Sequence, residues 1–168
     1  MNIKLHYLWI VFAGWLAGNA LAADIELTTR VSGVVEDVYV KPGQSVKKGA
    51  VLLRLNKVIY QAQVLEAGAE SERLRAEAAE AKRDLDRAEE LYSRTVSSTT
   101  ELDSAKLRHT RAQSALTVAQ ARATIAKKNL ADTDLKAPFN GVVAAVPAAP
   151  GVVVASDCQP RALVVMRR

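Results

Sequence analysis

Residue types that commonly carry chemistry are scarce in this 168-residue sequence. It has two histidines, one cysteine and two methionines, which is too few for the clustered nitrogen and sulfur ligands of a zinc or copper site. His109 falls on a helical seam, where a half-buried polar residue that sets the register of two helices is a commoner role than metal binding. Cys158 has no disulfide partner in the chain, so it is either a small buried hydrophobe, the interpretation that we favour, or a free thiol. We therefore expect neither a metal nor a cofactor.

The charged residues do not form a catalytic pattern either. Glu and Asp between residues 66 and 90 alternate with Arg and Lys at helical spacing, which is typical of a solvated helix face. No nucleophile beside a base and no glycine-rich phosphate loop stands out. The 23 basic and 18 acidic residues are largely interspersed, so the net charge of +5 does not indicate a nucleic-acid-binding surface. We predict that the protein is not an enzyme and does not bind nucleic acid.

The elements that would position a site begin with an internal repeat. Two distant segments align when Gly33 is placed over Gly141, and the turn Pro42-Gly43 then falls on Pro150-Gly151. Both segments contain short β-branched runs separated by glycine and proline, which indicates strands and tight turns. The following glycines are predicted to be structural, because the chain turns or another backbone passes close by: Gly33, Gly43, Gly49, Gly141 and Gly151.

The spacing of Gly43, Val46, Gly49 and Leu52 resembles the biotinyl/lipoyl carrier fold, a flattened β-barrel of two similar halves. Carrier domains of that fold hold a modified lysine on a tight hairpin turn. Lys57 follows the first half, but it begins a long helical segment, so we interpret it as an exposed lysine at a helix start. A carrier function is the disfavoured alternative, and it requires a mass increment on this lysine.

A long segment between the two halves has the composition of α-helix. Residues 58–134 contain no proline and one glycine, and they are rich in Ala, Leu, Glu, Lys and Arg. Two seams of mainly apolar residues step by three and four positions, which predicts a coiled coil. The seams comprise Tyr60, Val64, Ala67, Ser71, Leu74, Ala78, Ala81, Leu85, Ala88 and Tyr92, and then Leu102, Ala105, His109, Ala112, Leu116, Ala119, Ala123, Ala126, Leu130 and Thr133.

The sequence thus predicts an α+β protein. Its fold is a lipoyl/biotinyl-like flattened β-barrel in two halves, interrupted by a long antiparallel α-helical coiled-coil hairpin. The predicted units are residues 1–22 as a signal peptide, 23–56 as the first half, 57–135 as the hairpin and 136–168 as the second half. The hairpin tip is predicted near residues 94–98, where Ser98 and Glu101 form a capping-box pattern.

The first 22 residues predict export. Lys4 provides a positive charge, an apolar run follows, and Ala20-Leu-Ala22 fits a small-x-small cleavage signal. We expect a periplasmic protein. An uncleaved segment that anchors the chain in the inner membrane is the open alternative.

This organisation resembles the periplasmic adaptor, or membrane fusion protein, family of efflux pumps and hemolysin-type secretion systems. Family members that dock on TolC-like outer-membrane channels share an Arg-x3-Leu-x6-Ser motif at the hairpin tip. Arg87, Leu91 and Ser98 match that motif at the required spacing, so the resemblance implies that they contact the channel. Thr95 replaces a glycine that is common in the tip of relatives.

Each of these three residues also has a structural alternative. Arg87 can pair with Glu80 or Glu90, Leu91 can pack beneath the turn, and Ser98 can serve only as a helix N-cap. The coincidence of the motif with the predicted tip favours docking.

The resemblance implies an adaptor subunit of a tripartite efflux or secretion system. The adaptor would link an inner-membrane transporter, of the RND, ABC or MFS type, to the TolC-like channel and would assemble as a homo-oligomeric ring. We expect a short form of the family that lacks the β-barrel and membrane-proximal domains. The alternative function is a coiled-coil scaffold or a regulatory partner of a full-length adaptor. The transported substrate and the size of the ring are not specified by the sequence.

Overall fold

The structure is a computed structural model that describes residues 24–95, 98–156 and 161–168. The predicted signal peptide (residues 1–22), Cys158 and the middle of the predicted tip (residues 96 and 97) lie outside the described residues. The elements in chain order are β1 (Asp24–Leu27), β2 (Gly33–Val38), β3 (Ser45–Val46), β4 (Val51–Leu55), α1 (Val58–Ser93), α2 (Thr99–Asp132), β5 (Asp134–Lys136), β6 (Gly141–Ala145), β7 (Val153–Val154) and β8 (Val164–Arg167).

The strands form two four-stranded sheets, and each sheet contains strands from both halves of the chain. One sheet has the order β1-β8-β6-β3 and the other has the order β5-β4-β2-β7, with antiparallel neighbours throughout. Val35, Leu53, Val143, Val164 and Met166 are fully buried in the single core that both sheets share. The predicted fold class, a flattened β-barrel in two halves around a helical hairpin, is confirmed.

Backbone hydrogen bonds between the halves repeat with the symmetry of the sequence. The Gly43 amide donates to the Val143 carbonyl at 2.8 Å, and the equivalent Gly151 amide donates to the Val35 carbonyl at 2.8 Å. Strand β3 pairs with β6 in the same relative register in which β7 pairs with β2. The turn of each half is therefore anchored on the first long strand of the other half.

Three of the predicted structural glycines occupy the left-handed region of backbone space. Gly43, Gly49 and Gly151 have φ values of +84°, +86° and +86°. A residue with a Cβ pays a steric penalty in this region, whereas glycine does not. These three positions therefore need glycine because of their backbone conformation.

The other two glycines differ from each other. A Cβ added at Gly141 would lie 2.4 Å from the Arg167 carbonyl oxygen, because β6 and β8 pair at this point. A Cβ added at Gly33 would lie 3.6 Å from the Leu55 side chain, which is an ordinary contact distance. The prediction that Gly33 has a positive φ or a backbone close by is therefore wrong. Its φ is not positive, and its close neighbour is the Leu55 side chain.

Helices α1 and α2 pack along the two predicted seams. Ala78, Ala88 and Ala105 are buried between them, so the helices approach closely but each contact removes little apolar area from water. Tyr92, the last position of the first seam, is 43% exposed. It extends past the packed region because α2 begins only at Thr99 and its first seam residue, Leu102, packs one turn lower.

The hairpin ends before residue 135, the boundary predicted from the sequence. Helix α2 ends at Asp132 and β5 begins at Asp134, so residues 134 and 135 belong to the sheet and not to the hairpin. Asp134 is the register partner of Arg54 on β4, and Leu135 packs against the core of the β-domain. These contacts with distant residues end the helical segment.

The two helices carry opposite charges on their exposed faces. Helix α1 has nine acidic and five basic side chains, a net charge of −4, whereas α2 has three acidic and six basic side chains, a net charge of +3.

In the part of the chain that the structure describes, neither helix has an apolar stretch of the length needed to cross a bilayer.

We expect alanine to act in opposite directions at two glycines. Gly141→Ala should lower the free energy of unfolding by about 1–3 kcal/mol, because the Cβ must displace the Arg167 carbonyl from the β6–β8 pairing. Gly68→Ala, in α1 with open space around it, should raise it by about 1 kcal/mol, since alanine is the better helix former. Urea unfolding followed by circular dichroism measures both. Equal effects of the two substitutions would contradict the close approach at Gly141.

Candidate functional site at the hairpin tip

Helix α1 ends in a hydrogen-bonded turn. The Arg94 amide donates to the Glu90 carbonyl at 3.3 Å, and the Thr95 amide donates to the Tyr92 carbonyl at 3.0 Å. The Ser93 hydroxyl donates to the same Glu90 carbonyl at 2.7 Å. These bonds satisfy carbonyl groups that have no partner within the last turn of a helix. These hydrogen bonds close the C-terminal end of α1 in an exposed turn.

Thr95 holds a conformation that its side chain disfavours. Its φ is +60°, and it is the one positive-φ residue other than glycine among residues 24–95, 98–156 and 161–168. For a residue with a Cβ the left-handed conformation costs about 1–2 kcal/mol, and a β-branched side chain adapts to it poorly. Glycine, the residue that Thr95 replaces according to the family resemblance, would adopt this conformation freely.

Helix α2 begins with a side-chain cap. Ser98 has extended backbone angles, and its hydroxyl oxygen accepts a hydrogen bond from the Glu101 amide at 3.2 Å. Glu101 lies in the first turn, where a negative charge is favourable beside the positive end of the helix dipole. The capping pattern predicted at Ser98 is thus present as a capping hydrogen bond. Ser98, Thr99 and Thr100 are all exposed, so this helix N-terminus faces solvent.

Arg87 and Leu91 lie in the last two turns of α1, at the same end of the hairpin as Ser98. The Arg87 guanidinium donates to the Asp84 carboxylate at 3.2 Å, and not to Glu80 or Glu90. Its side chain is 69% exposed, so this pair contributes at most about 1 kcal/mol and leaves the guanidinium accessible. Leu91 is half-buried, and part of its side chain faces solvent.

The two helix ends are held together beneath these residues. Leu85 and Ala88 of α1 form a buried cluster with Leu102 and Ala105 of α2. Because Arg87 and Leu91 follow this cluster on α1 and Ser98 precedes it on α2, all three predicted docking residues are placed at one end of one rigid support. This end of the hairpin presents a cation, an apolar group and helix N-terminal donors, which are groups able to form charge-assisted, apolar and amide hydrogen-bond contacts.

In the described ranges no group of three or more His, Cys, Asp or Glu side chains is placed to hold an ion. His109 is half-buried in the seam of α2. A role for this histidine in the packing of the hairpin agrees with that position.

Lys57 differs from the prediction in its exposure. It lies at the start of α1, as predicted, but its side chain is only 25% exposed, because its ammonium donates to the Asp134 carboxylate at 2.8 Å. Nothing in the sequence around Lys57 predicts this ion pair. Its partners are 77 positions apart, and no local pattern joins them.

Comparisons with known proteins agree on one family. The model of the family described as the CzcB-like barrel-sandwich hybrid domain matches residues 24–160. The uncharacterized protein YdhJ of Escherichia coli strain K12 is 32% identical over 126 residues, covering 75% of this chain and 44% of YdhJ. The efflux pump periplasmic linker BepD of Brucella suis biovar 1 is 28% identical over 157 residues, covering 94% of this chain and 39% of BepD. The chain thus spans less than half of the length of these curated relatives.

The fold is similar to that of a solved structure. The crystal structure of MacA from Actinobacillus actinomycetemcomitans superposes with a TM-score of 0.61 at 25% sequence identity. The superposition covers 83% of this chain and 47% of the MacA chain. The β-domain and the hairpin therefore occur together in a protein of known structure.

We expect the strain at Thr95 to be measurable. Thr95→Asn should stabilise the protein by about 1 kcal/mol, because asparagine tolerates the left-handed conformation. Thr117→Asn, the same substitution within α2, should leave the stability nearly unchanged, since the two residues have similar helix propensities. Thermal unfolding compares the variants, and amide hydrogen exchange of residues 90–95 locates the effect. A Thr95→Asn variant no more stable than Thr117→Asn would contradict the strain.

Proposed function

Because the chain belongs to the CzcB-like family of membrane fusion proteins, the efflux adaptors, we propose that it is a periplasmic adaptor without enzymatic activity. In this proposal it links an inner-membrane transporter to a TolC-like outer-membrane channel, and the hairpin tip contacts the channel. The name of BepD, an efflux pump periplasmic linker, supports the same role. The transporter is of the RND, ABC or MFS type, and no substrate is assigned.

One observation carries the proposal: the motif residues lie at the free end of a long arm. Helix α1 has 36 residues and is therefore about 54 Å long. Arg87, Leu91 and Ser98 are at the end of this arm that is remote from the β-domain. A spacer of this length with recognition residues at its far end suits a protein that bridges two partners at different heights.

The chemistry of the tip suits a partner made of helix ends. The exposed N-terminus of α2 offers amide donors to carbonyl oxygens, and Leu91 offers an apolar contact. The Arg87 guanidinium can form charge-assisted hydrogen bonds with carboxylates or with the negative end of a helix dipole. The periplasmic helix tips of a TolC-like channel provide such groups.

The charge asymmetry of the hairpin supports a homo-oligomeric ring. Between Ser104 and Ala131, α2 has six basic residues and no acidic one, whereas α1 carries a net charge of −4. Copies arranged side by side in parallel would place the basic α2 of one beside the acidic α1 of the next. Two α2 helices facing each other would repel, so this charge pattern favours a heterologous interface, which can close into a ring, over a two-fold interface that pairs α2 with α2.

We expect a photo-crosslinking probe at the tip to capture the channel in intact cells. Tyr92→p-benzoylphenylalanine places the probe on an exposed aromatic position and leaves the Ser98 cap intact. The same probe at Lys127, an exposed residue near the base of α2, is the matched control. A crosslink to an outer-membrane channel from residue 92 and none from residue 127 is expected. Crosslinks only to another adaptor would contradict docking and support the scaffold function.

Substitutions at the motif then separate docking from folding. Arg87→Ala should reduce the yield of the channel crosslink roughly tenfold, whereas Arg83→Ala, the same change one turn lower, should not. Ser98→Asn retains a good N-cap, so a loss of crosslink in this variant reports the contact and not the helix end. Equal yields from Arg87→Ala and Arg83→Ala would exclude Arg87 from the contact.

We expect self-association to depend on the charges of α2. The protein should form larger assemblies at about 50 mM than at about 500 mM salt, because salt screens exposed charges. Arg111→Glu combined with Arg122→Glu should abolish this dependence, and Lys47→Glu combined with Lys48→Glu in the β-domain should not. Sedimentation velocity measures the assemblies. Identical behaviour of the two double variants would exclude α2 from the interface.

A further inference from the structure

The hairpin is joined to the β-domain by two short crossings of the chain. Residues 56 and 57 connect β4 to α1, and residue 133 connects α2 to β5. At these crossings the Leu55 amide donates to the Thr133 carbonyl at 2.8 Å, and Thr133 is fully buried. Two single-chain crossings linked by backbone bonds can still act as a hinge. The side chains around the crossings add to these backbone bonds in limiting how freely the arm moves.

On one side of the crossings, Asp134 binds two cations. Its carboxylate accepts hydrogen bonds from the Arg54 guanidinium at 2.9 Å and from the Lys57 ammonium at 2.8 Å. Arg54 lies in the sheet, whereas Lys57 precedes the first residue of α1, so the Lys57 bond ties the helix to strand β5. The Asp134 side chain is only 16% exposed, and solvent therefore screens this cluster less than a surface pair.

The pKa of Asp134 reflects these bonds. Burial by itself would raise the pKa of the carboxyl, but hydrogen bonds and charges from Lys57 and Arg54 outweigh it and hold the pKa below its ordinary value. Because the folded-state pKa is depressed, the cluster stabilises the fold above the ordinary Asp pKa and loses that contribution as the pH falls through the folded-state pKa. At neutral pH the carboxylate is ionised and both bonds are present.

On the other side, Tyr60 ties the same helix turn to the neighbouring strand. Its hydroxyl donates to the Ser32 carbonyl at 2.6 Å, and its ring packs against the core of the β-domain. Ser32 immediately precedes β2, and the sheet has the order β5-β4-β2-β7. The start of α1 thus follows β4 and is bonded on one side to β5 through Lys57 and on the other side to the residue before β2 through Tyr60.

The length of the arm makes this attachment important. A rotation of about 10° at the base would move the end of a 36-residue helix by about 9 Å. That displacement is close to the diameter of a helix with its side chains, about 10 Å. A tip that presents three specific side chains to a partner therefore needs a stiff base.

We propose that the Lys57–Asp134 ion pair and the Tyr60–Ser32 hydrogen bond form a brace that fixes the direction of the hairpin relative to the β-domain. When one of the two bonds is removed, the helix pair swings about residues 56–57 and 133, while the hairpin and the β-domain stay folded. Lys57 and Tyr60 are thus positioning residues for the tip, although they lie at the opposite end of the helix. This brace is a property of the isolated chain and does not depend on the proposed channel.

Distances between two spin labels test the brace. In a Cys158→Ser background, one nitroxide label at Lys47→Cys reports the β-domain. A second label at Gln113→Cys reports a point on α2 about 29 Å from Asp132, the end of α2 at the base of the hairpin. Pulsed electron paramagnetic resonance measures the distance between the two labels. Lys57→Met and Tyr60→Phe should each roughly double the width of the distance distribution, with unchanged helix content by circular dichroism. The double variant should be broader than either.

The matched control is Lys128→Met. Lys128 makes an ion pair with Asp132, but both residues belong to α2, so the bond does not cross the base. This variant should keep the narrow distribution of the parent. Distributions for Lys57→Met and Tyr60→Phe as narrow as that of Lys128→Met would overturn the proposal and assign the stiffness to the backbone. Should Lys57→Met lose helix content, Tyr60→Phe decides the test, because it removes one oxygen and keeps the packed ring.

Discussion

The exchange of backbone hydrogen bonds between two distant segments is the constraint on which this structure depends. Gly43 donates to Val143 and Gly151 donates to Val35, so each half supplies the partner that the turn of the other half needs. Strands β3 and β7 are two residues long and exist only as additions to a strand of the opposite half. Neither half can complete a sheet alone, because such short strands have no stability by themselves.

This constraint explains why a long insertion is tolerated. The two halves must meet, so whatever lies between them has to return the chain to its starting point. Helices α1 and α2 pair with each other and bring Leu55 and Thr133 into hydrogen-bonding distance at 2.8 Å. A paired hairpin avoids most of the entropy cost of closing a flexible loop of the same length. The β-domain therefore requires closure at the base but leaves the length of the arm free.

The hairpin has an interior that buries little apolar area and outer faces that are highly charged. Its seam consists mainly of alanine, which permits close helix packing but contributes little buried apolar area per residue. The charges lie outside, with an acidic α1 and a basic α2, and the strained Thr95 lies at the far end. The proposed recognition at the tip, the proposed side contacts along the arm and the attachment at the base thus involve separate parts of the hairpin.

Elements whose signals are local could be predicted from the order of the residues alone. Glycine and proline spacing predicted the turns, the alternation of three- and four-residue steps predicted both helices, and the Ser98–Glu101 spacing predicted the cap. The motif placed Arg87, Leu91 and Ser98 near one turn, and the structure puts them at one end of the hairpin. Each of these inferences depends on residues within a few positions of each other, where periodicity and capping chemistry act.

Features that join distant residues could be identified only in the folded chain. The partners of Asp134, the start of β5 two residues after α2, and the contrast between Gly33 and Gly141 all arise from contacts across the sheet or the base of the hairpin. The left-handed conformation of Thr95 follows from the geometry needed to join two packed helices, against the preference of its own side chain. Local patterns contain no record of such contacts, because the distances that create them exist only after the chain has folded.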